Sequence, residues 1–203
     1  MTEYDANVFV NCPFDEVYEE IFRAVSFCIT RCGLRVRCAL ETEDSSQVRI
    51  DRIFAIIEEC RFAVHDLSRT ELDASTGLPR FNMPFELGVF LGAKRFGRGK
   101  QREKSCVILD GDRFRYQKFI SDIAGQDIRS HENDPNTAIR VVRDWLRAAT
   151  KRADLPGARL IISDYLRLRE ELPSAVAAMK LHHKEMTFLD YMNFITVWLN
   201  KGG

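Results

Sequence analysis

Four short apolar runs, each followed by a polar break and then by helical periodicity, constrain this chain more than anything else in it. NVFVNC (Asn7 to Cys12), LRVRCAL (Leu34 to Leu40), FAVHDL (Phe62 to Leu67) and SCVILD (Ser105 to Asp110) read as buried strands. After the first, Pro13 ends the strand and Asp15 is placed to cap a helix. Apolar residues there recur at three and four, from Val17 through Ile21, Val25 and Cys28 to Cys32, and Gly33 closes the helix. Further helices are expected over Val48 to Cys60, Asn82 to Phe96, Phe114 to Gly125 and Asn136 to Thr150, with a short apolar stretch near Ile128. Strand and helix thus alternate over residues 1–150, which predicts an α/β domain with a parallel sheet covered on both faces.

Leu155-Pro156-Gly157 breaks the alternation. Residues 151–203 carry no strand signal and read as a helical C-terminal appendage, with Tyr165, Leu168, Phe188, Tyr191 and Trp198 at helical spacing. These side chains must bury a face against something, either the α/β body or a partner.

The 203 residues contain 30 basic and 30 acidic side chains, so no global field favours nucleic acid or acidic lipid. The acidic N-terminus lacks the basic run of a signal peptide, and no stretch approaches the ~18 apolar residues of a membrane span. Six cysteines sit mostly inside apolar runs, as reduced thiols of a cytoplasmic protein do. Cys28 and Cys32 share a helix face but have no second ligand pair, so the expectation is core packing and no metal. The basic stretch Gly97 to Lys104 reads as a solvated loop, His65 as a core histidine, and His182-His183 as surface residues.

In a parallel α/β sheet, ligands bind outside the carboxyl ends of the strands. Asn11 to Asp15, the acidic loop Glu41 to Gln47, Asp66 and Ser68, and Asp110 to Asp112 fall at that edge. The helix opened by RFNMPFELG (Arg80 to Gly88) starts there too, with Asn82 as its expected cap and Glu86 in its expected first turn. Phosphate fingerprints are absent: there is no G-x-G-x-x-G and no Walker loop. Gly88 and Gly92 are expected to let the helix pack closely on the sheet. A receiver domain needs an acidic pair after the first strand, where Asn11 and Cys12 stand. Taken alone, Glu86 is an acid complementing a helix dipole. Its neighbours Phe81, Met83, Pro84 and Phe85 form an apolar collar that would raise its pKa and exclude water, which a dipole role does not need.

Asn11-Cys12-Pro13-Phe14-Asp15 after the first strand, His65-Asp66-Leu67-Ser68 at the third, and FNMPFELG together resemble the bacterial TIR-like (Toll/interleukin-1 receptor-like) group. The pattern is also similar to the nucleoside 2-deoxyribosyltransferases, which share a flavodoxin-like layout. In TIR domains a serine closes the third strand, an aromatic follows, and a glutamate lies in the next helix; Ser68, Phe81 and Glu86 occupy those places. In the deoxyribosyltransferases a nucleophilic glutamate opens an E-L-G helix, as Glu86-Leu87-Gly88 does, with an aspartate after strand three, as Asp66 is. The resemblance spans residues 6 to 150. It departs where Phe81-Asn82-Met83 replaces the Trp-Cys common before the TIR glutamate, and the C-terminal helices match neither family.

The resemblance implies a flavodoxin-like/TIR-like three-layer fold and an NAD-cleaving enzyme, with NAD as substrate and no cofactor. Glu86 and Asp66 would be catalytic, and Asn11, Phe14, Asp15, Ser68, Arg80 and Phe81 would bind substrate, Arg80 at a diphosphate. It further implies a homo-oligomer or an activating partner protein, in antiphage defence or nucleotide signalling. The alternatives are a nucleoside or nucleotide deoxyribosyltransferase-like N-glycosidase and a non-catalytic nucleotide-sensing or assembly module.

Overall fold

The structure, a computed structural model, describes residues 2–42, 44, 46–72, 76–123, 125–182 and 185–202. Glu43 and Ser45 of the acidic loop, and His183, lie outside the described residues. Five strands form one all-parallel sheet in the order β2-β1-β3-β4-β5: β1 Asn7–Asn11, β2 Arg35–Arg37, β3 Phe62–Asp66, β4 Ser105–Asp110 and β5 Arg129–Ser130. This is the flavodoxin-like doubly wound order, with its switch point between β1 and β3. The helices are α1 Glu3–Ala6, α2 Glu19–Arg31, α3 Arg49–Glu59, α4 Asn82–Phe96, α5 Pro135–Thr150, α6 Ala158–Ala178 and α7 Phe188–Asn200. No described helix is long and apolar enough to cross a membrane, and all six thiols are free.

Alternation along the strands sorts the core into two sides. Val8, Val10, Phe62, Val64, Val107 and Leu109 face α2 and α5, whereas Phe9 and Ala63 face α3 and Phe90 of α4. The appendage completes the first side. Ile161, Tyr165 and Leu168 of α6, with Tyr191, Ile195 and Trp198 of α7, join the same apolar cluster as Val8 and Val10. Tyr165 and Tyr191 donate their hydroxyls to the backbone oxygens of Glu20 and Arg23 on α2, both at 3.1 Å. Hence Ile21 to Ile29 are buried without interruption, although the sequence alone suggests a one-sided amphipathic helix. The sheet covers one face of α2, and α6 and α7 cover the other.

Local corrections have identifiable causes. The helix expected from Asp15 begins at Glu19, because Asp15 closes a turn by accepting the Tyr18 N–H at 3.1 Å. In place of the helix expected from Phe114 stand two 3-10 turns, Arg115–Lys118 and Ser121–Ile123, the first entered through Phe114 at φ 62°. The apolar stretch near Ile128 leads into β5. The basic stretch is not merely a solvated loop. It folds into a 3-10 turn, Gly99–Glu103, and Lys104 is buried, donating to the carbonyls of Ile57 and Cys60 at the end of α3. His65 is a core histidine with one ring nitrogen, Nε2, unpartnered, while its Nδ1 lies 2.9 Å from Asn11 Nδ2. Burial, with the Lys104 charge nearby, pushes its pKa down to about 3, so it is neutral.

Candidate active site at the carboxyl edge of the sheet

At the switch point, the loop after β1 and the loop after β3 come together, and α4 starts beside them. Asn11, buried at the last position of β1, donates through Nδ2 to the Met83 carbonyl at 2.9 Å. That bond ties the first turn of α4 to the sheet. The helix begins one residue earlier than expected: Phe81 takes the cap position, Asn82 is the first helical residue, and no side chain caps the end. Glu86 is therefore the fifth helical residue, beyond the first turn, where the dipole interaction has largely faded.

The collar expected around Glu86 is only half present. Met83 is buried, but Phe81 and Phe85 are 67 % and 54 % exposed. Burial comes instead from the sheet side, where Glu86 shares the inward face with Met83 and Phe90, three and four residues away. Glu86 is 7 % exposed and has no hydrogen bond or ion pair among the described residues. Burial pushes its pKa up to about 7, offset slightly by the Arg49 charge at the start of α3.

Asp66 is the opposite case. Also buried, it ends β3 one residue after His65 and so points to the other side of the sheet. Its Oδ1 accepts the Ser68 N–H at 2.8 Å, an Asx-type turn, and its Oδ2 accepts the Tyr18 hydroxyl at 2.7 Å. His131 Nε2 lies 3.1 Å from the same Oδ2, at ion-pair distance though poorly angled for a hydrogen bond. Since His131 Nδ1 accepts the Asn133 N–H at 3.0 Å, the ring proton sits on Nε2, facing the carboxylate. Burial pushes the Asp66 pKa up, but His131 and Ser68 together outweigh it and hold the carboxyl below its ordinary range. Asp66 and Glu86 share no contact. Cys12 lies within electrostatic reach of both, its thiol pushed up first by burial and then by Asp66, with Cys38, Glu86 and Asp15 adding.

The remaining candidates divide between wall and rim. Ser68 is buried with its Oγ unpartnered. Asp15 Oδ2 lies 3.6 Å from Arg69 Nε and 3.5 Å from an Arg80 guanidinium nitrogen, so two ion pairs join the β1 loop to the loop after β3. Arg80 thus meets a carboxylate within the protein. Phe14 packs edge-on against Phe22 at 5.3 Å and, with Asp15, lines a cleft of about 670 Å³ that runs to Phe188 and Tyr191 of α7. A second cleft, of about 460 Å³, is lined by Arg37, Glu41, Arg49 and Arg52, and a third, of about 550 Å³, lies between β2 and α7. Glu86 and Asp66 line none of the three. Among the described residues, no group of three or more His, Cys, Asp or Glu side chains is arranged to hold a metal ion.

Three further residues reach this edge without having been singled out by the sequence. His131 follows β5, a strand too short to carry an apolar signal, so nothing marked it as an edge residue. Tyr18 reads as a helix residue, and only the turn at Asp15 delivers it to Asp66. Arg115 donates to Asp110 Oδ1 at 2.7 Å and to the Leu67 carbonyl at 2.6 Å, clamping the ends of β3 and β4. Asp110 was legible as a strand end, but its guanidinium partner was not. No protein-family model, curated protein or solved structure matches this chain.

Proposed function

We propose that this chain cleaves the N-glycosidic bond between a cationic base and ribose, with an NAD⁺-type dinucleotide as substrate and Glu86 as the catalytic carboxylate. One observation carries the reading: Glu86 is buried and unpartnered among the described residues, on the helix that starts at the carboxyl edge of the sheet, with its pKa pushed up to about 7. Leaving an acid in that state is unfavourable in the free protein, and such groups concentrate where chemistry needs them.

The chemistry follows from charge. When the C1′–N bond breaks, its electron pair goes to the ring nitrogen and the pyridinium becomes neutral nicotinamide. The positive charge moves to the C1′–O4′ unit of the ribose. A carboxylate held in a low-dielectric site stabilises that oxocarbenium character. Water then attacks C1′ and gives up a proton, which Glu86 accepts, leaving ADP-ribose. The same unpaired carboxylate selects the substrate class. A base already carrying positive charge draws the Glu86 pKa down and leaves without a proton donor, whereas a neutral nucleoside supplies no such charge. The ion pairs of Asp15 with Arg69 and Arg80 are long and partly exposed, so they exchange readily for a diphosphate. The cleft beginning at Phe14 accommodates the rest of the dinucleotide. In this reading Asp66 is a positioning residue, holding the β3 loop to α2 and β5.

The test is to incubate the purified chain with NAD⁺ and, separately, with deoxynucleosides, and to measure released base by chromatography. Nicotinamide release that Glu86→Gln abolishes is expected, with kcat/KM rising with pH through about 7 as free Glu86 ionises. Base release from deoxynucleosides alone would replace this reading with the deoxyribosyltransferase-like one. Unchanged turnover in Glu86→Gln would end both.

A further inference from the structure

We infer that the outer face of α4 is a self-association surface, on which a second copy of this chain docks about a two-fold axis. Helices α2, α3 and α5 are amphipathic in sequence, with one polar side each. Helix α4 has no polar side: its charged residues are Glu86, which is buried, and Lys94 and Arg95 in the last turn. A helix apolar around its circumference is normally covered all round. Here one stripe is left open, and at 100° per residue Phe81, Phe85, Gly88, Gly92 and Phe96 fall within a single narrow sector of it. Phe81, Phe85 and Phe96 are 67 %, 54 % and 82 % exposed. A Cβ built on Gly88 or Gly92 would meet no atom within 4 Å, so neither glycine serves the close packing on the sheet that the sequence suggests.

The order of side chains along the stripe identifies the occupant. A two-fold axis midway between Gly88 and Val89 sets two α4 helices antiparallel. Phe85 of each copy then falls in the notch over Gly92 of the other, Gly88 faces Val89, and Phe81 meets Phe96. Large opposes small except at the ends, where aromatic meets aromatic. This is the self-complementarity an isologous interface requires. Antiparallel crossing also places each helix N-terminus beside the other's C-terminus, which favours the paired dipoles. At ~200 Å² per phenylalanine, the three rings alone expose about 400 Å² per copy. That is half of the ~800 Å² a partner contributes to a stable interface, before the glycine backbone and Val89 are added. Glu86 lies on the inward face, so docking leaves it uncovered. The inference stands on the surface of α4 and does not depend on the proposed chemistry.

Sedimentation equilibrium of the full chain from about 1 to 100 μM, beside Gly92→Gln and Gly88→Gln, tests it. Since the positions beyond both glycines are open in the single chain, these variants should fold and melt no lower than the parent at low concentration. The parent should form dimers within this range, and each variant should weaken association at least ~100-fold by filling the notch. A parent that stays monomeric at 100 μM would overturn the inference and leave the face to some other occupant. So would glycine variants that dimerise as tightly as the parent, because the interface would then lie elsewhere. Loss of dimer in Gly92→Gln with an unchanged melting curve supports it.

Discussion

Asp66 ends β3 and Glu86 lies one turn into α4, which starts at the same edge of the sheet; both are buried, and their surroundings could hardly differ more. Asp66 is closed in by the Tyr18 hydroxyl, the Ser68 N–H and His131, and its carboxyl is held below the ordinary range. Glu86 has no such partners among the described residues and is pushed up to about 7. Burial raises the pKa of an acid in both places, so burial alone does not say what a carboxylate is for. The number of donors aimed at it does. A saturated carboxylate fastens elements together, whereas an unsaturated one keeps its affinity for something outside the protein.

Four substitutions would break or sharpen that contrast. Asp66→Ala should have the largest effect. It leaves the Tyr18 hydroxyl, the Ser68 N–H and the His131 ring unpartnered in the interior, at a cost of roughly 3–5 kcal/mol in denaturant unfolding. A loss below ~1 kcal/mol would show that the network fastens nothing. Because the Asp66 pKa is depressed, its stabilisation is present above the unfolded value of 3.8 and fades as pH falls through the lower folded value.

Glu86→Gln should act in the opposite direction. With a folded pKa of about 7 against 4.5 unfolded, the folded state holds more protons between those values, and stability declines as pH rises across them. Removing the charge should therefore stabilise the protein by up to about 3 kcal/mol at pH 8 and by almost nothing below pH 4. Thermal melts at the two pH values check this, and a variant less stable at pH 8 would mean that Glu86 has a partner after all.

Tyr18→Phe removes one donor from Asp66 and leaves the others. The expected loss is ~1–2 kcal/mol, clearly smaller than for Asp66→Ala. Equal losses would mean that the tyrosine hydroxyl alone holds the network. Arg80→Ala, at the exposed rim, should change stability by less than ~0.5 kcal/mol. If its guanidinium is on loan from Asp15 to a diphosphate, the same variant should raise KM for NAD⁺ while leaving kcat near the parent value. An unchanged KM would remove Arg80 from the site.

The parallel sheet was legible because each of β1, β3 and β4 is a short, uninterrupted apolar run, and buried parallel strands have little other way to be written. Helix α4 was legible to within one residue at its start, since Pro84 fits its first turn and Gly97 follows its last. The fifth strand was not, because two residues, Arg129 and Ser130, give no periodicity. With it went His131, whose place depends on a strand that sequence reasoning could not see. Asp66 could be read as an edge residue, but its saturation could not: Tyr18 and His131 come from 48 and 65 positions away, and only the folded chain brings them together. Glu86 stood out in the sequence through its neighbours, not all of which shelter it. The phenylalanines expected to shelter it face outward, and the sheet does the sheltering.

The cluster that joins Val8 and Val10 on β1 to Ile195 and Trp198 on α7 has a consequence for how the molecule comes into being. A chain emerging from the ribosome has made all five strands by Ser130, yet Phe27 still lacks the rings of Tyr165 and Trp198 that lie 5.7 Å and 6.0 Å from it when folded. Until α7 is synthesised, α2 presents an uncovered apolar flank to solvent, and contacts spanning nearly the whole sequence are slow to find. The nascent domain is therefore at its stickiest just before completion, and holding it apart from its neighbours until the last turns of α7 arrive is work suited to a chaperone.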